Sequence, residues 1–279
     1  MAETMQCMEI WGGNQNVEQH FHRPGLNVWV YSCPHEQAAS GGDVYYLSSC
    51  ASGRISRMLL ADVSGHGPRV SGLARRLRDL MRRHINSISQ TQFVEGMNRE
   101  FVELNQEGSF ATAIVGTFFD STQSFQLSVA GHPRPLLYRR KTGRWELFEI
   151  DSHVAGSTGL LNTPLGISES VVYGQTRLNL SKGDMVLAYT DGLTEARVAD
   201  GKLLETHGLL SLMQTLDASR PDRLLQGLLA ALRDQTTEPI GDDLSLLLAC
   251  ADGSRASLWS KVVAPFRLLK RTTDRTRWR

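Results

Sequence analysis

Several features are scarce in this chain, and each absence narrows the reading. Only four cysteines occur in 279 residues, Cys7, Cys33, Cys50 and Cys250, and none shares a CxxC spacing. That argues against a zinc cluster or a disulfide framework and predicts free thiols in a reducing compartment. No apolar run approaches the ~18 residues that a membrane span needs. The N-terminal residues show no basic stretch ahead of an apolar one, so no signal peptide is read and a cytoplasmic location is expected. Net charge is almost nil, with 30 Lys/Arg against 29 Asp/Glu, so nothing global points to a nucleic-acid partner. No internal repeat is evident.

What is present is an ordinary globular composition, 41% hydrophobic and 21% charged. Its charge is unevenly placed. Residues 251–279 hold eight Lys/Arg against two Asp, leaving residues 1–250 net negative. The expected organisation is an irregular lead-in over residues 1–25, one domain over 26–250 and a basic tail over 251–279.

Residues 26–31, 43–47 and 54–61 are rich in β-formers and closely spaced, which predicts antiparallel hairpins. From 68 to 88 the period changes. Leu73, Leu77, Leu80, Met81, His84, Ile85 and Ile88 recur at spacings of three and four, marking an amphipathic helix whose other face carries Arg75, Arg76, Arg78, Arg82 and Arg83. A second helix is predicted over 91–105. Strands follow at 110–119, 124–130, 135–138, 144–150, 171–180 and 184–189, then helices at 204–216 and 222–235 and a last strand at 244–250. Strands, two helices, strands, two helices and a strand make an α+β pattern rather than a βαβ series.

Four aspartates share one local context, at the end of an apolar strand pattern beside Gly or another Asp. They are Asp43 in Gly41-Gly42-Asp43, Asp62 in Ala61-Asp62-Val63-Ser64-Gly65-His66-Gly67, Asp191 in Thr190-Asp191-Gly192, and Asp242 in Gly241-Asp242-Asp243. Any one alone reads as a turn-former. Together they suggest a site for hard cations, which take carboxylate, carbonyl and water oxygens.

The blocks around these residues resemble the metal-dependent protein phosphatases (PPM, protein phosphatase 2C-like), in the bacterial branch of stage II sporulation protein E and the RsbU-type regulators. GGDVYYL at 41–47, LLADVSGHG at 59–67, FATAIVG at 110–116, VAGHPRPLLY at 129–138, PLGI at 164–167, GDMVLAYTDGLTEAR at 183–197 and GDDLSLLL at 241–248 occur in the family's order. The resemblance implies an αββα sandwich of two antiparallel sheets flanked by helix pairs. It also implies hydrolysis of phosphoserine or phosphothreonine by a water held between two divalent cations, Mn²⁺ or Mg²⁺. Asp62 would bridge the cations and the Val63 carbonyl would add a ligand. Asp43 would serve one ion, and Asp191 and Asp242 the other, with Asp243 as the competing choice. The implied partner is a phosphorylated protein, with an anti-anti-sigma (STAS-type) regulator as the leading substrate.

Other readings stay open at this level. A silent family member would bind a phosphoprotein without turnover, and a second alternative is a small phosphorylated substrate. His66 stands four residues after Asp62 and reads either as an acid for the leaving group or as a turn residue; His132 reads as a turn or packing residue. Glu195 and Arg197 read as groups orienting the site or as an ion pair. The arginine face of the helix at 68–88 is either solvated or part of a switch, with control in trans or through a homodimer. The tail, with Leu258, Trp259, Val262, Val263, Phe266 and basic neighbours, reads as a docked helix or as a contact for a membrane surface or an acidic partner.

Overall fold

The computed structural model describes residues 3–4, 9–12, 15–35, 41–50, 53–65, 68–104, 108–150, 160–199, 201–236 and 238–256. His66 and the tail beyond residue 256 lie outside the described residues.

In chain order the elements are β1 (Glu3–Thr4), β2 (Glu9–Gly12), β3 (Val17–Arg23), β4 (Leu26–Cys33), β5 (Asp43–Ser49), β6 (Ile55–Val63), α1 (Pro68–His84), α2 (Gln90–Leu104), β7 (Ala111–Phe119) and β8 (Ser124–Ala130). Then come β9 (Leu136–Arg139), β10 (Arg144–Leu147), β11 (Thr176–Asn179), β12 (Met185–Tyr189), α3 (Asp191–Thr194), α4 (Glu205–Thr215), α5 (Pro221–Gln235) and β13 (Leu244–Ala251). One sheet has seven strands in the order β1-β3-β4-β13-β12-β9-β10, and the other has six in the order β11-β8-β7-β6-β5-β2. Named neighbours pair antiparallel except β1 with β3.

Strand alternation builds three apolar layers. Leu60 and Met58 of β6 face Val28 and Val30 of β4 and Leu247 of β13 between the sheets. Leu59, Ala61 and Val63 point the other way, onto Leu77, Met81, Phe93 and Phe101 of α1 and α2. Leu246 and Leu248 of β13 meet Leu209, Leu224, Leu228 and Leu232 of α4 and α5. The central strands are therefore buried on both faces, which is why β6 reads as an unbroken apolar run. The predicted αββα sandwich is the observed fold.

Three expectations need correction. The lead-in is not irregular: β3 pairs along its length with β4, and β2 forms the edge of the six-stranded sheet beside β5. Its polar composition hid these strands because β2 and β3 are mostly half-exposed. The first helix stops at His84, where the Ser87 amide turns back to the His84 carbonyl, so Ile88 lies outside it and is 79% exposed. Of 171–180, only Thr176–Asn179 forms a strand.

The arginine face of α1 is neither freely solvated nor unattached. Arg82 pairs with Glu9 of β2, Arg78 stacks on the Trp11 ring at 4.6 Å, and Arg83 pairs with Glu100 of α2.

Candidate metal centre

The strand ends that carry the aspartates meet at one edge of the sandwich. Asp43 opens β5 and lies directly opposite Asp62 in the β5–β6 register. Like charges in such cross-strand positions destabilise a sheet, so the pair is not what folding alone would select. In the other sheet β12 and β13 run antiparallel, with Tyr189 opposite Leu246. The residues leaving β12 and those entering β13 therefore arrive together, bringing Asp191 beside Asp242 and Asp243.

Two glycines permit the close approach. A Cβ on Gly42 would sit 2.7 Å from the Val63 carbonyl oxygen and 2.8 Å from Asp62 Oδ1, so those two oxygens converge on the space that glycine leaves open. A Cβ on Gly192 would collide with the Asp243 carbonyl. Both glycines answer to backbone proximity rather than to a turn.

The five carboxylates divide by burial. Asp43 is 2% exposed, and its Oδ2 accepts a 2.8 Å hydrogen bond from Thr190 Oγ1. Thr190 Oγ1 in turn accepts from the Ser245 amide at 2.9 Å, and the Thr190 amide donates to the Ser245 carbonyl at 3.0 Å. This buried threonine thus ties Asp43 of one sheet to β13 of the other. Asp243 is also buried; its Oδ1 accepts from the His35 amide at 2.8 Å and its Oδ2 from the Gly42 amide. Asp62 and Asp191 are half-buried, and Asp242 is exposed.

Electrostatics follow from that crowding. Burial raises the Asp62 carboxyl, and the charges of Asp191, Asp242, Asp243 and Glu195 push it further, to about 7. Asp191 is raised by burial and then by Asp242. Glu195 is raised by slight burial and then by Asp191 and Asp242. Asp43 stands well above the usual carboxylate range because it is buried and faces Asp62, although hydrogen bonds from Ser245 and Thr190 favour its charged form. Each cause acting on Asp62 opposes ionisation, a situation that a cation relieves. Among the described residues no three His, Cys, Asp or Glu side chains close into a finished cage. The oxygen-only donors, the convergence of Val63 O with Asp62 Oδ1 and the mutual repulsion fit a hard divalent cation rather than a soft one.

Two further features were not legible beforehand. Thr190 sits inside the GDMVLAYTDGLTEAR block, but nothing in that block singles out its hydroxyl. Thr112 lies opposite Asp62 in the β6–β7 register, and its Oγ1 is 2.8 Å from His132 Nδ1. The His132 ring is buried, and burial pushes its pKa down to about 3, against a smaller opposing effect of the Tyr189 backbone. It is thus a neutral packing residue hydrogen-bonded to Thr112. Ser64 exchanges hydrogen bonds with the Phe110 backbone, pinning the chain after Asp62. Arg197 donates to the Gly201 carbonyl at 3.3 Å, within its own hairpin.

With this geometry in place, the relatives are informative. The sequence signature of the Stage II sporulation protein E (SpoIIE) family matches residues 52–252, most of the chain. The chain belongs to the SpoIIE family. Phosphoserine phosphatase RsbU of Bacillus subtilis (strain 168) is 26% identical over 229 residues, covering 80% of this chain and 62% of that relative. The chain thus spans somewhat less than two thirds of RsbU. Among solved structures, the RsbU and RsbW domains of Rv1364c from Mycobacterium tuberculosis match with a TM-score of 0.68 and 25% identity, over 89% of this chain and 70% of that one. RsbX in complex with magnesium matches with a TM-score of 0.59 and 17% identity, over 84% of this chain and all of that one, a likeness of fold.

Proposed function

We propose that this SpoIIE-family chain is a metal-dependent serine/threonine phosphoprotein phosphatase. The observation that carries the reading is the opposition of Asp43 and Asp62 across two strands, with Asp191 and Asp242 brought to the same edge from the other sheet. A fold gains nothing from gathering these charges unless a cation is to be held there.

In this reading Asp43, Asp62, Asp191, Asp242 and the Val63 carbonyl would together hold two divalent cations, Mn²⁺ or Mg²⁺, with Asp62 the carboxylate common to both. Divalent cations, when bound, supply positive charge for the phosphoryl oxygens and lower the pKa of water. The chain's own work is positional. Thr190 fixes the Asp43 carboxylate, the paired sheets fix Asp62 against Val63, and the one-turn α3 presents Asp191. Asp243 is the weaker candidate ligand, since both of its oxygens already accept backbone N–H bonds. Asp242 is exposed, and among the described residues the one backbone bond its carboxylate takes is to Oδ1 from the adjacent Asp243 amide at 2.8 Å. No cysteine is needed as a nucleophile, in keeping with Cys250 being buried and its thiol pushed up to about 11 by burial.

The proposed substrate is a phosphorylated STAS-type regulator in a bacterial partner-switching pathway. The location is cytoplasmic in this reading; among the described residues no helix is long and apolar enough to cross a membrane. Turnover of p-nitrophenyl phosphate and of a phosphorylated STAS protein, with wild type and Asp62→Asn, tests the assignment. Manganese-dependent turnover that is lost in Asp62→Asn is expected. Turnover that survives the substitution would overturn the mechanism, and binding without turnover would favour a silent phosphoprotein-binding module.

A further inference from the structure

The outer face of the seven-stranded sheet is covered unevenly. α5 packs on β13 and β4, with Trp29 and Tyr31 of β4 half-buried beside it, while β3 lies on the far side of β4. Between them runs a groove. Its larger part, about 810 Å³, has Tyr31, Leu229, Leu232 and Ile240 as its apolar floor and ends against His35 and Asp242. A second part, about 430 Å³, continues past Trp29 and Leu225 toward Pro221. The two share Glu18, Tyr31, Gln226 and Leu229 as walls, with Gln226 Nε2 donating to Glu18 at 2.8 Å where they join.

The charge of this groove is one-sided. Glu18, Glu238 and Asp242 line the larger part beside Arg233 and the His35 imidazole, while Asp222 of the smaller part, which also holds His20, is already paired with Arg220 at 3.1 Å. Arg233 is partly used already, donating to the Leu229 carbonyl at 3.2 Å. An occupant that fits must carry apolar side chains for the floor and positive charge for the walls. The groove also opens onto the proposed centre, since Asp242 belongs to both.

We infer that this groove binds the stretch of substrate chain flanking the phosphorylated residue, and that it selects flanks combining apolar and basic side chains. Cys33 pairs with Leu244, beside Asp242, and Trp29 pairs with Leu248 further along. Four strand steps separate them, roughly 13 Å at ~3.3 Å per residue, so the groove takes about four extended residues. The inference rests on the reading of Asp242 as part of the centre. It goes further in assigning peptide specificity to a surface outside the carboxylate set.

The test compares two phosphoserine peptides of equal length, one with Leu and Lys flanks and one with Ser and Glu flanks, alongside p-nitrophenyl phosphate. Wild type should prefer the Leu/Lys peptide by about tenfold or more in kcat/KM, mainly through KM. Glu238→Lys should remove most of that preference, and Leu229→Ala part of it, while p-nitrophenyl phosphate turnover stays unchanged. Glu238 is exposed, so its reversal leaves the fold intact. Fluorescence anisotropy of the same labelled peptides gives a readout independent of catalysis. If no phosphate ester is turned over yet Leu/Lys binding is tight and Glu238-dependent, the groove stands and the catalytic reading falls. Equal handling of both peptides by wild type, or an equal loss on p-nitrophenyl phosphate in Glu238→Lys, would overturn the inference. So would Glu238-dependent displacement of the peptide by a fragment of residues 257–279, since the groove would then belong to the chain's own end.

Discussion

The carboxylates at the sandwich edge form two groups with the same residue type and opposite circumstances. Asp43 and Asp243 lie inside, and each has a carboxylate engaged by hydroxyl or amide hydrogen bonds. Asp62, Asp191 and Asp242 lie outside, where they repel one another and are open to a ligand. The inner pair joins the two sheets, since Asp43 reaches Thr190 of the β12 end and Asp243 reaches Gly42 of the β5 start. The outer three add charge with no compensating cation among the groups acting on Asp62. Burial and bonding, rather than residue identity, therefore separate the anchored carboxylates from the open ones, Asp43 being both an anchor between the sheets and a proposed ligand, and substitutions should separate the groups too.

The sharpest break falls on the outer group. Asp62→Asn should lower kcat on p-nitrophenyl phosphate by on the order of 10³-fold, the scale on which a preorganised electrostatic group is lost. The same change removes a half-buried charge, so thermal denaturation without metal should show a melting temperature raised by a few degrees. Loss of activity accompanied by loss of stability would move Asp62 into the anchored group.

The adjacent pair gives the most direct contrast. Asp243→Ala strips acceptors from two backbone amides, one of them on buried Gly42, and should cost about 2–3 kcal/mol in urea denaturation, the penalty for orphaned buried donors. Asp242→Ala removes one acceptor, that of the Asp243 amide, and should cost only about 1 kcal/mol, yet lower metal-dependent turnover by about 10²-fold, the upper range for groups that tune a metal site. Interchanged results would make Asp243 the ligand.

Sequence reading reached the sandwich because its central strands are long and strongly apolar and its helices keep a regular period. It missed β2 and β3 for a physical reason: one is an edge strand and the other lines the groove, so neither carries a run of apolar residues. At the site, the close approach at Gly42 and Gly192 leaves a mark in sequence. Four aspartates at strand ends, three of them beside a glycine, are singled out there with Asp243 as a competing choice, and the fold brings all five to one edge. Their division was not legible. Asp242 and Asp243 are neighbours in one dipeptide, and only the fold shows which one the His35 and Gly42 amides hold. The roles of the Thr190 and Thr112 hydroxyls were silent because one hydroxyl looks like any other in sequence, so His132 could be read as a packing residue but not matched to its partner.

Acidity should sharpen the same comparison. Asp62 has a folded pKa of about 7, above its ordinary value of 3.8, so between those values the folded state binds more protons than the unfolded. The contribution of Asp62 to stability without metal is then full below about pH 4, is lost as pH rises toward 7, and is absent above it. Since a cation must displace that proton, Mn²⁺ should raise the melting temperature more at pH 8 than at pH 5.5, with proton uptake or release followed by calorimetry in two buffers. A Mn²⁺ stabilisation that is flat or larger at pH 5.5 would remove Asp62 from the binding set.

The smallest effect should come from the joint between the groups. Thr190→Val keeps the shape of a fully buried side chain but removes the bond to Asp43 and the acceptor of the Ser245 amide. Each neutral hydrogen bond contributes about 1 kcal/mol, and the abandoned amide adds to that, so a loss of about 1–3 kcal/mol is expected in urea denaturation. The informative readout is metal affinity. Without the hydroxyl, Asp43 loses a partner that favours its charged form, so its carboxyl should rise further and hold a cation less well. Mn²⁺ titration by calorimetry should show one site weakened by about tenfold, as for a lost orienting bond, with the other unchanged. Weakening of both sites equally would mean that Thr190 acts on the edge as a whole, and the division into an inner and an outer group would have to be redrawn around it.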